Sequence, residues 1–387
     1  MRLLPIAVLT ITLAALAQSP APEFLEPTVF EQLPAVRLSN DKIQLTIVTL
    51  GGFFANLVLR DDPEQLSPYW NPVRMAREAG RRRSSGGMGH FLCVDGFGPV
   101  SPEEQAAGLP GHGEAHTQFW QLRASQKSGP TATLVFAVNL SLVEENLTRT
   151  VRMVDGESVV YVETELESRL AFDRPICWAE HATIGSPFLE PGKTVVDMPA
   201  SRAKTRSHES ERGPLPHRLV SSQDFTWPLA PTLDGGTVDL RAAPLNPNSL
   251  DHTTCLMDPA RDLVFFTALH PEKRLLLGYV FHHQEYPWVQ NWEDYAPNLK
   301  MARGLEFGTQ PFDVPRREVI DLRSLFDAPV YRWLPAKSKI GSRFLFFYTH
   351  APEGFRKVDD VRLEGGKLII EDRSAAKQIT LAASLGL

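Results

Sequence analysis

The segment RTVRMVDGESVVYVETEL, residues 149–166, indicates the class of fold. Asp155-Gly156 is a dipeptide typical of tight hairpin turns, and the residues on both sides are rich in β-branched side chains. After the turn, apolar or β-branched residues recur at every second position from Val160 to Leu166, so they share one face of a strand. The segment therefore predicts a β-hairpin with a buried face.

Strand-like segments dominate the rest of the chain. They include residues 43–47, 54–59, 131–138, 264–269, 275–281, 344–348 and 367–370. One short helix is predicted, because Ser101 and Glu104 form a capping box around Pro102 and Gly108 follows it. Long amphipathic helical windows and internal repeats are absent from the sequence. The sequence predicts an all-β fold, a large antiparallel β-sandwich that forms one domain over residues 38–387.

Composition excludes several classes of function. The 387 residues carry a formal net charge of -6, so no basic field is present to attract nucleic acid. Cys93, Cys177 and Cys255 lie far apart, which leaves no CxxC spacing and allows at most one disulfide. We therefore expect neither a nucleic-acid partner nor a cysteine-bound metal.

The N-terminus resembles an export signal. Arg2 precedes an apolar run over residues 3–16, and small residues end it at Ala17. The run is too short for a confident membrane span, and no later segment resembles one. We expect a signal peptide at 1–17, a Pro-rich leader at 18–37, and an exported, periplasmic or secreted, monomeric protein without membrane contact.

Candidate site residues cluster in four polar segments. His181 lies within WAEHATIGSPFL, and its side chain titrates near neutral pH, although a lone histidine beside apolar residues is often only structural. The other three segments are LPGHG at residues 109–113, LDH at 250–252 and RGLE at 303–306. His112, Glu114 and His116 alternate as metal ligands on a strand could, but their order differs from the helical HExxH motif. The sequence favours a site without metal.

These segments resemble the aldose 1-epimerases (galactose mutarotases) and their hexose-6-phosphate epimerase relatives. The resemblance extends from about residue 38 to about residue 321 and rests on several motifs in the same order. They are Ser85-Gly86-Gly87, Phe97-Gly98, Leu109 to His116 with Trp120, His181, Leu250-Asp251-His252, and Arg303 to Glu306 with Gln310-Pro311.

The resemblance implies an acid–base ring opening that needs no cofactor. Glu306 would be the base at the C1 hydroxyl, and His181 the acid at the ring oxygen. The implied substrate-binding residues are His112, His116, Asp251, Arg83, and Trp292 or Trp288. Two arginines of the phosphate-binding branch are replaced by Ser85 and His116, which favours a non-phosphorylated aldose, although Arg83 lies close enough to substitute.

Two other functions are compatible with the same sequence. The chain could be a non-catalytic carbohydrate-binding protein, because the family's His-Pro-Tyr-Phe is His-Ala-Thr-Ile here, beginning at His181. A glycoside hydrolase or lyase would need a second carboxylate near Glu306, for which Glu293 is the candidate.

Overall fold

The structure is a computed structural model that describes residues 24–82, 86–210, 213–296 and 301–387. The predicted signal peptide and Arg83 lie outside the described residues.

Twenty-eight strands are present in the described residues. The first fourteen are β1 Leu25–Phe30, β2 Leu33–Ser39, β3 Ile43–Val48, β4 Phe53–Leu59, β5 His90–Val94, β6 Gln121–Ser128, β7 Thr131–Leu140, β8 Glu145–Val154, β9 Val159–Ser168, β10 Arg174–Ile176, β11 Trp178–Gly185, β12 Val195–Asp197, β13 Ala200–Thr205 and β14 Asp224–Thr226. The others are β15 Leu229–Pro231, β16 Thr237–Asp239, β17 Ser249–Met257, β18 Leu263–His270, β19 Leu275–His282, β20 Trp288–Tyr295, β21 Ala302–Gly308, β22 Ser324–Leu325, β23 Ala328–Pro329, β24 Arg332–Leu334, β25 Lys339–His350, β26 Asp360–Glu364, β27 Lys367–Asp372 and β28 Lys377–Ala382.

Two large antiparallel sheets enclose the main core. The main sheet has thirteen strands in the order β1-β2-β3-β4-β5-β11-β21-β20-β17-β13-β14-β15-β16. The second sheet has eight, in the order β12-β18-β19-β25-β9-β8-β7-β6. The predicted all-β class and antiparallel sandwich are confirmed, and so is the hairpin of β8 and β9, with Gly156 at φ 83° in its turn.

A third layer covers the outer face of the second sheet. β26, β27 and β28 form a small sheet whose Leu368 and Ile370 pack in one apolar cluster with Val159 and Tyr161 of β9. The alternate residues of β9, such as Val160, belong to the main core instead. The sequence predicted one buried face for this strand. Over residues 159–162 both faces are buried because a sheet lies on each side, whereas Glu163 and Glu165 further along the outer face are exposed.

The N-terminal part of the domain differs from the prediction. β1 and β2 lie within or overlap the predicted Pro-rich leader, and they pair with each other and then with β3. Pro27 is tolerated because β1 is an edge strand, where a missing N–H need not remove a ladder hydrogen bond. Most of residues 25–37, which the sequence analysis assigned to the leader, therefore form strands of the main sheet.

Helices are few and short: α1 is Pro72–Glu78, α2 is Pro102–Ala106 and α3 is Arg316–Leu322. The predicted capping box of α2 is confirmed, with Ser101 and Glu104 exchanging both hydrogen bonds. Within the described ranges, no helix has the length and apolar character that crossing a bilayer requires.

Candidate active site

A cavity of about 1220 Å³ lies over the main sheet, on the face turned away from the second sheet. Its floor is formed by five adjacent strands, β5, β11, β21, β20 and β17. Loops carrying His112, Arg206 and Asp313 contribute to its walls. Because side chains of a strand alternate between the two faces of the sheet, only every second residue of each floor strand reaches the cavity.

His181 and Glu306 meet on this floor. They lie on the neighbouring strands β11 and β21, and His181 Nε2 is 3.1 Å from Glu306 Oε1. Both side chains are almost fully buried, and both line the cavity. The structure thus brings together the two residues that the resemblance implied as acid and base.

Gly304 makes room for the carboxyl group of Glu306. The two residues face the same side of β21, and a Cβ on Gly304 would lie only 2.1 Å from Glu306 Oε1. A glycine two positions before the glutamate is therefore required for Glu306 to lie in this position. The segment Arg-Gly-Leu-Glu, residues 303–306, has glycine at this position.

The imidazole of His181 is held from two further sides. Its Nδ1 lies 2.9 Å from the hydroxyl of the buried Thr183, and the ring of Phe91 stacks on it at 4.2 Å between centroids. Burial lowers the pKa of His181 well below its ordinary value, and the nearby imidazole of His112 lowers it further. At pH 7 the neutral imidazole is therefore the favoured form.

His112 and His116 also line the cavity. His112 has φ 65°, and its ring lies 5.4 Å from that of His181 between centroids. Burial lowers the pKa of His112 to about 4, so the ring is neutral at pH 7. Its Nδ1 accepts the N–H of Gly98 at 3.2 Å, which leaves the proton on Nε2 as a donor.

Glu114 does not join these two histidines. Its carboxylate accepts the backbone N–H groups of Leu142 and Val143 at 2.8 and 3.1 Å, away from the histidine rings. Across the part of the chain that the structure describes, no group of three His, Cys, Asp or Glu residues is arranged to hold a metal ion.

The Asp251-His252 pair shows the effect of strand alternation. Asp251 lies on the face of β17 opposite the cavity, where Arg218 Nε donates to it at 2.8 Å. His252 lies on the cavity face, opposite Trp292 of β20. The structure therefore places the histidine of this motif at the cavity and the aspartate outside it.

Trp292 lines the cavity floor, 6.4 Å from the ring of His181 between centroids. It also makes an edge contact with Trp70, at 5.9 Å. Trp288 is the first residue of β20, four positions before Trp292, and is fully buried in another apolar cluster. Of the two tryptophans that the sequence offered for a sugar face, Trp292 is the one at the cavity.

Glu293, the proposed second carboxylate of a hydrolase, faces away from the cavity. It forms ion pairs with Arg218 and, at 3.7 Å, with Arg303, and its side chain is buried. The next residue, Asp294, faces the cavity instead, and burial raises its pKa. The sequence did not single out Asp294, although it lies one position from Glu293 on the same strand.

A polar cluster on the cavity wall was also missed by the sequence analysis. Arg206 Nη1 lies 3.1 Å from His252 Nδ1 and forms an ion pair with Asp313. His252 Nδ1 is 3.3 Å from the same carboxylate. Arg206 and Asp313 lie in loops more than a hundred residues apart, and neither has a local motif that would identify it.

Behind the floor, a buried polar network fixes the backbone of β11. Glu180 faces the second sheet and accepts Arg149 Nη2 at 2.6 Å, while His90 Nε2 lies 2.8 Å from its other oxygen. All three side chains are buried. Burial raises the pKa of Glu180, but Arg149 and His90 help to lower it, and the pKa lies below its ordinary value. An ion pair anchored at Glu180 restrains the next residue, His181, on the opposite face.

Comparison with known proteins identifies the fold. No protein-family model matches the sequence, and no curated protein matches it. Among solved structures, a galactose mutarotase-like protein from Clostridium acetobutylicum superposes with a TM-score of 0.55 at 12% identity, covering 84% of this chain and 98% of that one. The chain has the galactose mutarotase-like fold.

Two further structures with this fold are similar to the chain. A galactose mutarotase-like protein from Lactobacillus casei gives a TM-score of 0.53 at 14% identity, covering 81% of this chain and 100% of that one. A galactose mutarotase related enzyme from Lactobacillus acidophilus gives 0.53 at 11% identity, covering 85% and 100%. At such identities the similarity shows the galactose mutarotase-like fold.

Proposed function

We propose that this protein is an aldose 1-epimerase-like enzyme that interconverts the anomers of a non-phosphorylated aldose. The observation that carries the proposal is the 3.1 Å contact between His181 Nε2 and Glu306 Oε1 on the cavity floor. Anomers interconvert when the C1 hydroxyl loses a proton while the ring oxygen gains one. The reaction therefore needs a base and an acid at neighbouring atoms, and this pair supplies both.

In the proposed reaction, the sugar replaces the direct contact between the two side chains. The Glu306 carboxylate takes the proton of the C1 hydroxyl, and the imidazolium of His181 protonates the ring oxygen as its bond to C1 breaks. Rotation about C1–C2 then turns the other face of the aldehyde towards the ring oxygen. Both protons return to the groups that gave them, and the ring closes as the other anomer. His112, a donor at Nε2, is placed to bind a hydroxyl or the aldehyde oxygen.

Charge in the cavity supports a neutral substrate. Arg206 is paired with Asp313, while Glu306 and Asp294 add further carboxylates to the lining. Arg81 and Arg317 also line the cavity, but among the described residues these three arginines face six carboxylates, which are Glu103, Glu209, Asp294, Glu306, Asp313 and Glu318. The excess of negative charge disfavours a phosphate group. Export, which we propose from the N-terminal sequence, would also place the protein where sugar phosphates are scarce.

The second candidate function is carbohydrate binding without turnover. The observation that favours it is the lowered pKa of His181, because little imidazolium is then present at neutral pH to act as the acid. The two functions differ in one measurable property, which is acceleration of anomer exchange.

The test is anomer exchange by NMR or polarimetry with freshly dissolved α-glucose and α-galactose. Glu306→Gln keeps the shape of the side chain and removes the proton acceptor, so kcat should fall about 10²-fold or more while sugar affinity changes little. Glu163→Gln, on an exposed position of β9, is the matched control and should behave as wild type.

Two results would count against the proposal. If wild type binds aldoses but is no faster than buffer, the enzyme is excluded and the binding protein stands. If calorimetry shows that glucose 6-phosphate binds more tightly than glucose, the neutral substrate is excluded.

A further inference from the structure

The cavity is larger than the proposed reaction needs. Its volume is about 1220 Å³, whereas pockets that enclose a drug-sized ligand have about 300–1,000 Å³. A single aldose is smaller than such a ligand. Ring opening needs contacts only at C1 and the ring oxygen, so most of the lining has no role in the chemistry.

The additional space lies to one side of the catalytic pair. Neighbouring strands are about 4.8 Å apart, so the five floor strands from β5 to β17 span about 19 Å. His181 and Glu306 occupy β11 and β21, and the floor continues for two more strands, about 10 Å, over β20 and β17. We call this part, with its cavity-facing residues Trp292, Asp294 and His252, the outer floor.

The outer floor and the wall beside it combine polar and apolar groups. His252, Arg206 and Asp313 form the ion-paired cluster, and Asp294 adds a carboxylate for which the described residues show no ion pair. Apolar lining comes from Leu250, Pro99, Val100, Val314 and Pro315. A sugar ring presents hydroxyls at its edge and C–H groups on its faces, so it matches such a mixed surface. A ligand that carried an anionic group here would instead place that group against the carboxylates of Asp294 and Asp313.

We propose that the cavity takes an aldose that carries a second sugar unit, with the reducing ring at His181 and Glu306 and the second ring on the outer floor. This inference rests on the proposed function, because only the reducing ring has a C1 hydroxyl that can exchange. Contacts of the second ring lie away from the reacting atoms. Binding energy from such remote contacts raises kcat/KM when it is used to orient the reacting ring.

The experiment compares kcat/KM for anomer exchange between sugars with the same reducing ring. Glucose is compared with maltose, cellobiose and lactose, and xylose with xylobiose. We expect at least one disaccharide to exceed its monosaccharide by tenfold or more, which corresponds to about 1.4 kcal/mol of additional transition-state binding.

The outcomes separate this inference from the proposed function. If no sugar of either size is accelerated, the proposed function has failed and this inference fails with it. If monosaccharides are accelerated as well as or better than every disaccharide, the inference alone is overturned. Release of monosaccharide from a disaccharide would show hydrolysis and overturn both.

A variant of the outer floor tests where the second ring lies. Asp294→Ala removes a hydrogen-bond acceptor there, so the ratio of disaccharide to monosaccharide kcat/KM should fall at least fivefold. Asp262→Ala, which removes an exposed carboxylate that does not line the cavity, should leave the ratio at its wild-type value. A ratio that stays within twofold of wild type in Asp294→Ala would overturn the placement.

Discussion

Replacing Gly304 by alanine tests whether Glu306 works from the position seen here. The new Cβ would lie 2.1 Å from Glu306 Oε1 and 2.9 Å from Cδ, and ordinary contact begins near 3.4 Å. The carboxyl group must therefore move by about 1.3 Å, which disturbs its 3.1 Å contact with His181. A displacement of about 1 Å in a catalytic site can cost about 10²-fold in rate, so we expect kcat to fall by that factor, or about 2.7 kcal/mol.

Stability should change little in Gly304→Ala, because the clash involves a side chain that can rotate away and alanine is preferred to glycine within a strand by about 0.5–1 kcal/mol. The matched control is Gly341→Ala in β25. Its Cβ would meet Thr164 O at 3.6 Å, an ordinary contact, and Gly341 does not line the cavity.

The assays are anomer exchange by NMR and thermal unfolding of all three proteins. Loss of activity in Gly304→Ala with an unchanged Tm, alongside a fully active Gly341→Ala, is the expected result. If Gly304→Ala folds normally and keeps its activity within threefold of wild type, Glu306 does not act as the base from this position.

Three further predictions concern His181 and the buried carboxyl group of Asp197. Thr183→Val removes the hydroxyl 2.9 Å from His181 Nδ1, so the imidazole loses a hydrogen bond that positions it, kcat should fall about tenfold, and Thr183→Ser should restore it. Because the pKa of His181 lies below 6.5 and its charged form is the acid, kcat/KM should rise as the pH falls from 8 towards 5; a maximum at or above pH 7 would contradict this role. Burial raises the pKa of Asp197 from 3.8 to about 6, so the folded protein holds this proton up to a higher pH than the unfolded chain does. Stability is therefore lost as the pH rises from 3.8 to about 6. Asp197→Asn, whose amide oxygen can still accept the N–H of Val358, should therefore be more stable than wild type at pH 8, by up to about 3 kcal/mol, and similar at pH 4 in urea unfolding.

Local patterns predicted the elements of this fold because their causes are local. The turn at Asp155-Gly156 and the cap at Ser101 depend on residues within a few positions of each other, and both are present in the structure. The prolines of residues 20–34 gave no local strand pattern, whereas Pro27 lies on an edge strand, which only the sheet order reveals.

The sequence also determined which residue types could perform the chemistry, and the motif order drew attention to His181 and Glu306. It could not determine which face of each strand meets the cavity. Alternation along a strand shows which residues share a face, but it does not show which of the two faces lies towards the cavity. The tertiary structure decided that His252 and Asp294 face the cavity while their neighbours Asp251 and Glu293 do not. Pairing of distant strands into one sheet, with a second sheet behind it, is what assigns each face, and no stretch of a few residues contains that information.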